Sequence, residues 1–186
     1  MSRDALLDTA ERLMSAKGYA ATPVSAICAE AGVAVTSLYW HFGNKDGLLA
    51  AVMDRGAERW FAALPRWEDV GGDADALVRA GAAAVGAHPE FLRLFYSLAL
   101  QDPGAPATAE LIERVRTRAT AYFRDLVAGL LPDAEDAEDL VRFAVAYSDG
   151  CFFAARLDPA ADLRRMYADL VTALRALARA RGKGSA

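Results

Sequence analysis

VSAICAEAGVAVTSLYWHF, residues 24–42, reads as two short helical patterns hinged on one glycine. In the first pattern Val24, Ile27, Cys28 and Ala31 recur on a single helical face. Gly32 follows, and glycine enters the left-handed backbone of a tight stop without steric cost. The second pattern turns Leu38 and Phe42 inward and stops at Phe42-Gly43-Asn44. Cys28 is small, which lets the two helices approach. Together they make a helix-turn-helix. A hairpin of this kind serves both DNA-binding proteins and plain helical bundles, so the pattern alone leaves both open.

Outward from this core the chain stays helical. Residues 4–17 place Leu6, Leu7, Ala10, Leu13 and Met14 on one stripe, ended by Gly18. Thr22-Pro23 reads as an N-cap with proline at the first helical position. Asn44 is placed to cap a further helix carrying Leu48, Leu49, Val52, Met53 and Trp60. Pro65 and Glu68-Asp69-Val70-Gly71-Gly72 break the chain, and Asp73 opens a helix to Ala87. His88-Pro89 begins another, to about Leu100, stopped by Asp102-Pro103-Gly104. Helices are then expected over 107–131, 135–157 and 160–181, with Asp158-Pro159 capping the last and 182–186 a frayed tail. Alanine and leucine dominate and apolar/polar alternation is almost absent, so the fold class is all-α.

Composition narrows the function classes. The chain is 54% apolar and 25% charged, as globular proteins are. Cys28 and Cys151 have no paired spacing and no companion histidines, so two buried thiols are expected, with no metal and no disulfide. The start Met1-Ser2-Arg3-Asp4 lacks the basic and apolar regions of a signal peptide. No apolar run is long enough to span a membrane, and a cytoplasmic location is expected. The net charge is −4, and residues 1–50 set Arg3, Arg12, Lys17 and Lys45 against Asp4, Asp8, Glu11, Glu30 and Asp46. Any DNA contact must therefore rest on geometry, not on bulk charge.

Gly18-Tyr19, Thr22, Ile27, Ala31-Gly32-Val33, Leu38-Tyr39-Trp40-His41-Phe42, Asn44-Lys45 and Leu48-Leu49, in unbroken order, resemble the N-terminal domain of the tetracycline-repressor (TetR) family. The resemblance covers about residues 5–53; beyond it, Ser148-Asp149-Gly150 and the pattern of long helices are similar to the family's C-terminal domain. It implies a helix-turn-helix DNA-binding domain over 1–48 and a helical effector-binding and dimerisation domain over 49–186. The recognition helix would be Val35 to His41. Thr36 and Ser37 would bond base edges or phosphates, and Val35 would meet a thymine methyl group. Tyr39, Trp40 and His41 would reach backbone or bases, and Thr22 would donate to a phosphate. Lys45, in the first turn of the next helix, would share an anion site with its backbone N–H groups. The chain departs from the family at Ala34, where a serine cap is usual, and at Val35, often lysine or another polar residue.

In the last helix Leu163, Tyr167, Leu170, Leu174 and Leu177 form a seam that fits an intramolecular core or a dimer equally well. The resemblance implies a homodimer through the last two helices, with Tyr147 and Gly150 of the preceding helix at the interface. It also implies a small-molecule pocket among the middle helices. Trp60, Trp67, Phe95, Tyr96, Tyr122, Tyr147 and Cys151 are its candidate lining, suited to an apolar or aromatic effector. The acids Asp133, Glu135, Asp136, Glu138 and Asp139 read as a solvated helix start, and His88 as a cap. No catalytic constellation, metal site or cofactor is expected. The expected partners are double-stranded operator DNA, a small-molecule effector and a second copy of the chain, with no membrane. The rival reading is a helical small-molecule-binding protein that has lost specific DNA binding.

Overall fold

The computed structural model describes residues 2–101 and 106–182, and every regular element among them is a helix. In chain order these are α1 (Ser2–Lys17), α2 (Val24–Ala31), α3 (Val35–Phe42), α4 (Lys45–Ala63), α5 (Ala74–Ala87), α6 (Pro89–Ala99), α7 (Pro106–Leu130), α8 (Ala137–Leu157) and α9 (Leu163–Gly182). The expected stop at 102–104 and most of the expected tail lie outside the described residues. Two compact units emerge, one of Met1–Ala62 with His88–Val115 and one of Ala63–Ala87 with Arg116–Ala186. The expected boundary after residue 48 falls inside α4, and the first unit recruits α6 from far along the chain.

In the first unit the α1 stripe of Leu6, Leu7, Ala10, Leu13 and Met14 is buried as the pattern required. It meets Ile27 and Cys28 of α2, Leu38 of α3, and Leu48, Leu49, Val52 and Met53 of α4 in one core. α6 packs on α1 and buries Phe91, Leu92, Leu94, Phe95 and Leu98. Val24, Ala31 and Phe42, expected inward, are only partly covered because α2 and α3 are short and lie at the surface. Glu11 of α1 pairs with Arg55 and Arg59 of α4, and Arg55 also reaches Asp8 at 2.8 Å. These pairs tie α1 to α4.

In the second unit Val127 of α7, Leu140, Val141, Ala144 and Val145 of α8, and Leu170 and Leu174 of α9 form one cluster. Trp67 lies against Gly129, where a side chain would collide with its indole. Caps explain the boundaries. Asp73 Oδ1 accepts from the N–H of Asp75 at 2.8 Å and of Ala76 at 3.3 Å, starting α5 as expected. α9 begins later than expected because Asp158 closes a separate turn on the N–H of Ala160. Asp162 Oδ1 is the real cap, accepting from the N–H of Arg165 at 3.1 Å. His88 sits at the N-cap position of α6 but makes no side-chain cap bond.

Candidate nucleic-acid interface

The turn between α2 and α3 is built on Gly32, whose φ of 68° and ψ of 32° are left-handed. The N–H of Val33 donates to the Cys28 carbonyl at 3.0 Å, closing the end of α2 and aiming the chain into α3. Ala34 takes the N-cap position of α3 with extended φ and ψ of −68° and 146°, and no side chain caps the helix. Leu38 is fully buried and pins α3 to the core. The opposite face is open: Val35 is 42% exposed, Tyr39 50% and Trp40 81%. Thr36 is exposed beside them, and Ser37 is half-buried. Large rings held in solvent around a buried anchor present surface without hydrophobic reward to the monomer.

The C-terminal end of α3 is tied to the first turn of α1. His41 Nε2 meets Ser2 Oγ at 3.1 Å, and the Arg3 guanidinium lies 5.5 Å from the centre of the Phe42 ring. The first turn of α1 therefore belongs to the same face as α3, which sequence patterns could not indicate across so long a chain separation. After Gly43, Asn44 Oδ1 accepts from the Gly47 N–H at 2.7 Å and caps α4, as expected. Gly47 sits against the Phe42 carbonyl so closely that a Cβ would collide with it.

Lys45 is more constrained than its sequence position suggested. Its Nζ donates to the Tyr19 carbonyl at 2.7 Å and lies 3.4 Å from that of Ala20, 4.3 Å from the centre of the Tyr19 ring. Desolvation lowers its pKa, partly opposed by the Asp46 charge. The Tyr19 hydroxyl donates to Asp46, and burial with that neighbouring carboxylate raises the phenol's pKa. Thr22 corrects an expectation. It is 1% exposed, and its hydroxyl donates to the Gly18 carbonyl at 2.7 Å. Pro23, not Thr22, holds the N-cap position of α2, so the hydroxyl is spent inside the fold.

The sequence profile described as bacterial regulatory proteins, tetR family, matches residues 6–52, the helices just described. The transcriptional repressor ComR of Escherichia coli K12 is 42% identical over 60 residues, 32% of this chain and 29% of ComR. The match thus spans well under half of that relative. SCO4454, a TetR-family transcriptional regulator from Streptomyces coelicolor, is similar over nearly the whole length. It is 26% identical, with 96% of this chain and 94% of that one covered at a TM-score of 0.68. Residues 6–52 thus match the N-terminal domain of the tetR family of bacterial regulatory proteins. A structure of SmeT with triclosan shares the fold of this chain at 19% identity. It covers 95% of this chain and 90% of its own, at a TM-score of 0.71.

The candidate effector residues fall into both units. Trp60, Phe95 and Tyr96 lie in the first, in an aromatic series with Phe91: Trp60 to Phe91 is 5.8 Å, Phe91 to Phe95 6.3 Å and Phe95 to Tyr96 5.1 Å between ring centres. The Trp60 indole N–H is shielded from solvent and no protein acceptor reaches it. Trp67, Tyr122, Tyr147 and Cys151 lie in the second unit. There the Tyr122 hydroxyl donates to the Pro65 carbonyl at 2.9 Å, and Cys151 is fully buried. A groove of about 400 Å3 in the second unit is lined by Leu130, Leu131, Ala134, Arg175 and Ala178, among others, and by none of the seven candidates.

The α9 seam is an internal contact. Leu170 and Leu174 are each 4% exposed within one chain, and Tyr167 and Leu177 pack against the same cluster. Tyr167 Oη and Ser148 Oγ are 2.9 Å apart, linking α9 to α8. Leu163 is half-buried. Tyr147 also packs on this core, whereas Gly150 is exposed with open space where a Cβ would stand. The periodic leucines therefore join α8 to α9, and the positions left to solvent include small ones, Ala146 and Gly150 of α8 and Ala168, Thr172 and Ala176 of α9, beside the charged Arg142, Arg164, Arg165, Asp169 and Arg175.

Proposed function

We propose that this chain is a ligand-responsive transcription regulator that binds a palindromic operator as a homodimer, represses, and is released by a small apolar or aromatic effector. The observation that carries this reading is the outward face of α3. Val35, Thr36, Tyr39 and Trp40 stand exposed around the anchored Leu38 on a helix-turn-helix. Its first turn would enter the major groove, with Val35 and Thr36 at base edges and Ser37, Tyr39, Trp40, His41 and Lys45 at backbone or bases. Arg3, placed beside α3 by Phe42, joins them as a phosphate contact. Few of these groups are cationic, so the salt dependence of binding is small for a DNA-binding protein and specificity rests on hydroxyl, ring and methyl contacts.

The mechanism is a population shift between two dimer shapes. In one, the recognition helices stand about 34–36 Å apart, one turn of DNA, and engage both half-sites. An effector that prefers the other shape changes that spacing through α4, and it shifts the balance only by its differential affinity. Triclosan in SmeT supports an apolar, aromatic effector class, as do the rings around Trp60. The regulator works in the cytoplasm, with its DNA, and needs no cofactor or catalytic step. The dimer forms around the small outward positions of α8 and α9.

The test is a footprint of the purified protein across the DNA flanking its own gene, followed by Lys45→Ala and Tyr39→Ala. A protected inverted repeat, lost in both variants with helicity and dimer intact, supports the reading. No protection there or in a genome-wide pull-down, with tight binding of a metabolite, supports the rival helical binding protein.

A further inference from the structure

We propose that Tyr19 and Asp46 are positioning residues for Lys45, holding its ammonium at the DNA face before operator arrives; this rests on the DNA-binding reading above. Tyr19 follows the end of α1, and Lys45 and Asp46 are consecutive in the first turn of α4. The three side chains close a ring. The ammonium stands over the Tyr19 ring at 4.3 Å and donates to that residue's carbonyl at 2.7 Å, while the phenol hydroxyl donates to Asp46. The tyrosine is thus gripped at both ends by neighbouring residues of one helical turn.

The physical effect is preorganisation. A lysine is a point charge on a flexible stem, and fixing it on binding loses rotamer freedom. Here the stem is already fixed by the aromatic plate and the carbonyls, and one of its three N–H donors remains for a phosphate. The carboxylate that would repel DNA is engaged by the phenol. Asp46 therefore serves binding through Tyr19, against the sign of its own charge.

Charge and position are separable by substitution. Asp46→Ala and Asp46→Asn remove the same charge, but asparagine keeps an acceptor for the Tyr19 hydroxyl. Full-length wild type, Lys45→Ala, Tyr19→Phe, both Asp46 variants and the Tyr19→Phe/Lys45→Ala double variant would be titrated onto the footprinted operator. Fluorescence anisotropy at several salt concentrations gives the affinities, and circular dichroism melts confirm that each variant is folded. Tyr19→Phe and Asp46→Ala are expected to weaken binding roughly 3- to 10-fold, as coupled neighbours do. Their salt dependence should flatten toward that of Lys45→Ala. Asp46→Asn should bind at least as tightly as wild type, and Tyr19→Phe should add nothing to Lys45→Ala. Tighter or unchanged binding by Asp46→Ala overturns the proposal, as does a Tyr19→Phe loss that adds fully to that of Lys45→Ala. A wild-type protein that binds no operator removes the DNA-binding reading itself, which the variants alone cannot do.

Discussion

Three residues show how the fold assigns a polar group partners that its type and chain position do not reveal. The Thr22 hydroxyl is a good phosphate donor in principle, but the Gly18 carbonyl lies 2.7 Å away and takes it. Lys45 stands at the start of α4 as read, yet its ammonium is held by the turn after α1. Arg3 looks like an unremarkable surface charge until Phe42 draws it beside α3. Arg3→Ala is expected to weaken binding about equally across DNA sequences and to lower the salt slope by about 1, as loss of a phosphate contact does; an unchanged slope would place Arg3 off the interface. Cys151 carries a second prediction. Burial raises its thiol from the ordinary 9.0 to about 11, and burial likewise raises Tyr167 to about 12. The unfolded thiol loses its proton first, so this stabilisation is complete below pH 9.0 and is lost as pH rises toward about 11. Thermal melts should show Tm falling across that window, and falling less in Cys151→Ala; equal falls would show that Cys151 contributes nothing.

At the scale of elements, helix existence was legible because each apolar stripe survives in the folded core, from Leu6 to Met14 in α1 and from Leu48 to Met53 in α4. Helix starts were less legible, because several acids near a boundary compete to cap it. Asp158 and Asp162 both use their carboxylates, but only Asp162 starts α9. α3 has no side-chain cap, and Ala34 already holds a suitable extended backbone. Ala34→Ser should therefore stabilise the first unit by about 1 kcal/mol, seen as a higher urea midpoint. α4 offers the opposite case. A Cβ on Gly56 would stand 2.6 Å from Phe91 Cδ2, and Phe91 is only 2% exposed and cannot swing clear. Alanine normally improves a helix over glycine by about 1 kcal/mol, but overpacking costs about 1–3 kcal/mol. Gly56→Ala should lower the urea midpoint; a gain would mean that α6 yields easily.

For the whole molecule, the apolar seam and the proposed dimer surface are different faces of the same two helices. Leu174 belongs to the internal cluster, whereas Gly150 faces outward. Gly150→Arg is thus expected to give folded monomers by light scattering, with operator affinity greatly reduced because one half-site grips weakly. Leu174→Arg should instead unfold the second unit, because it buries an unpaired charge. A Gly150→Arg protein that remains dimeric would move the interface elsewhere.

Taken by itself, the sequence determined the all-helical class, the helix-turn-helix with Gly32 at its hinge, and the family motif from Gly18 to Leu49. Those features are local, set by periodicity, caps and glycine backbone freedom over a few residues. Only the tertiary structure decided what covers each apolar face and where each polar group finds its partner. Periodicity reveals that Leu170 and Leu174 must be covered, but not whether by α8 of the same chain or by a second copy. It reveals that Tyr19, Lys45 and Asp46 carry polar groups, but not that folding brings them together. Both answers depend on contacts between residues distant in the chain, which helical patterning does not encode.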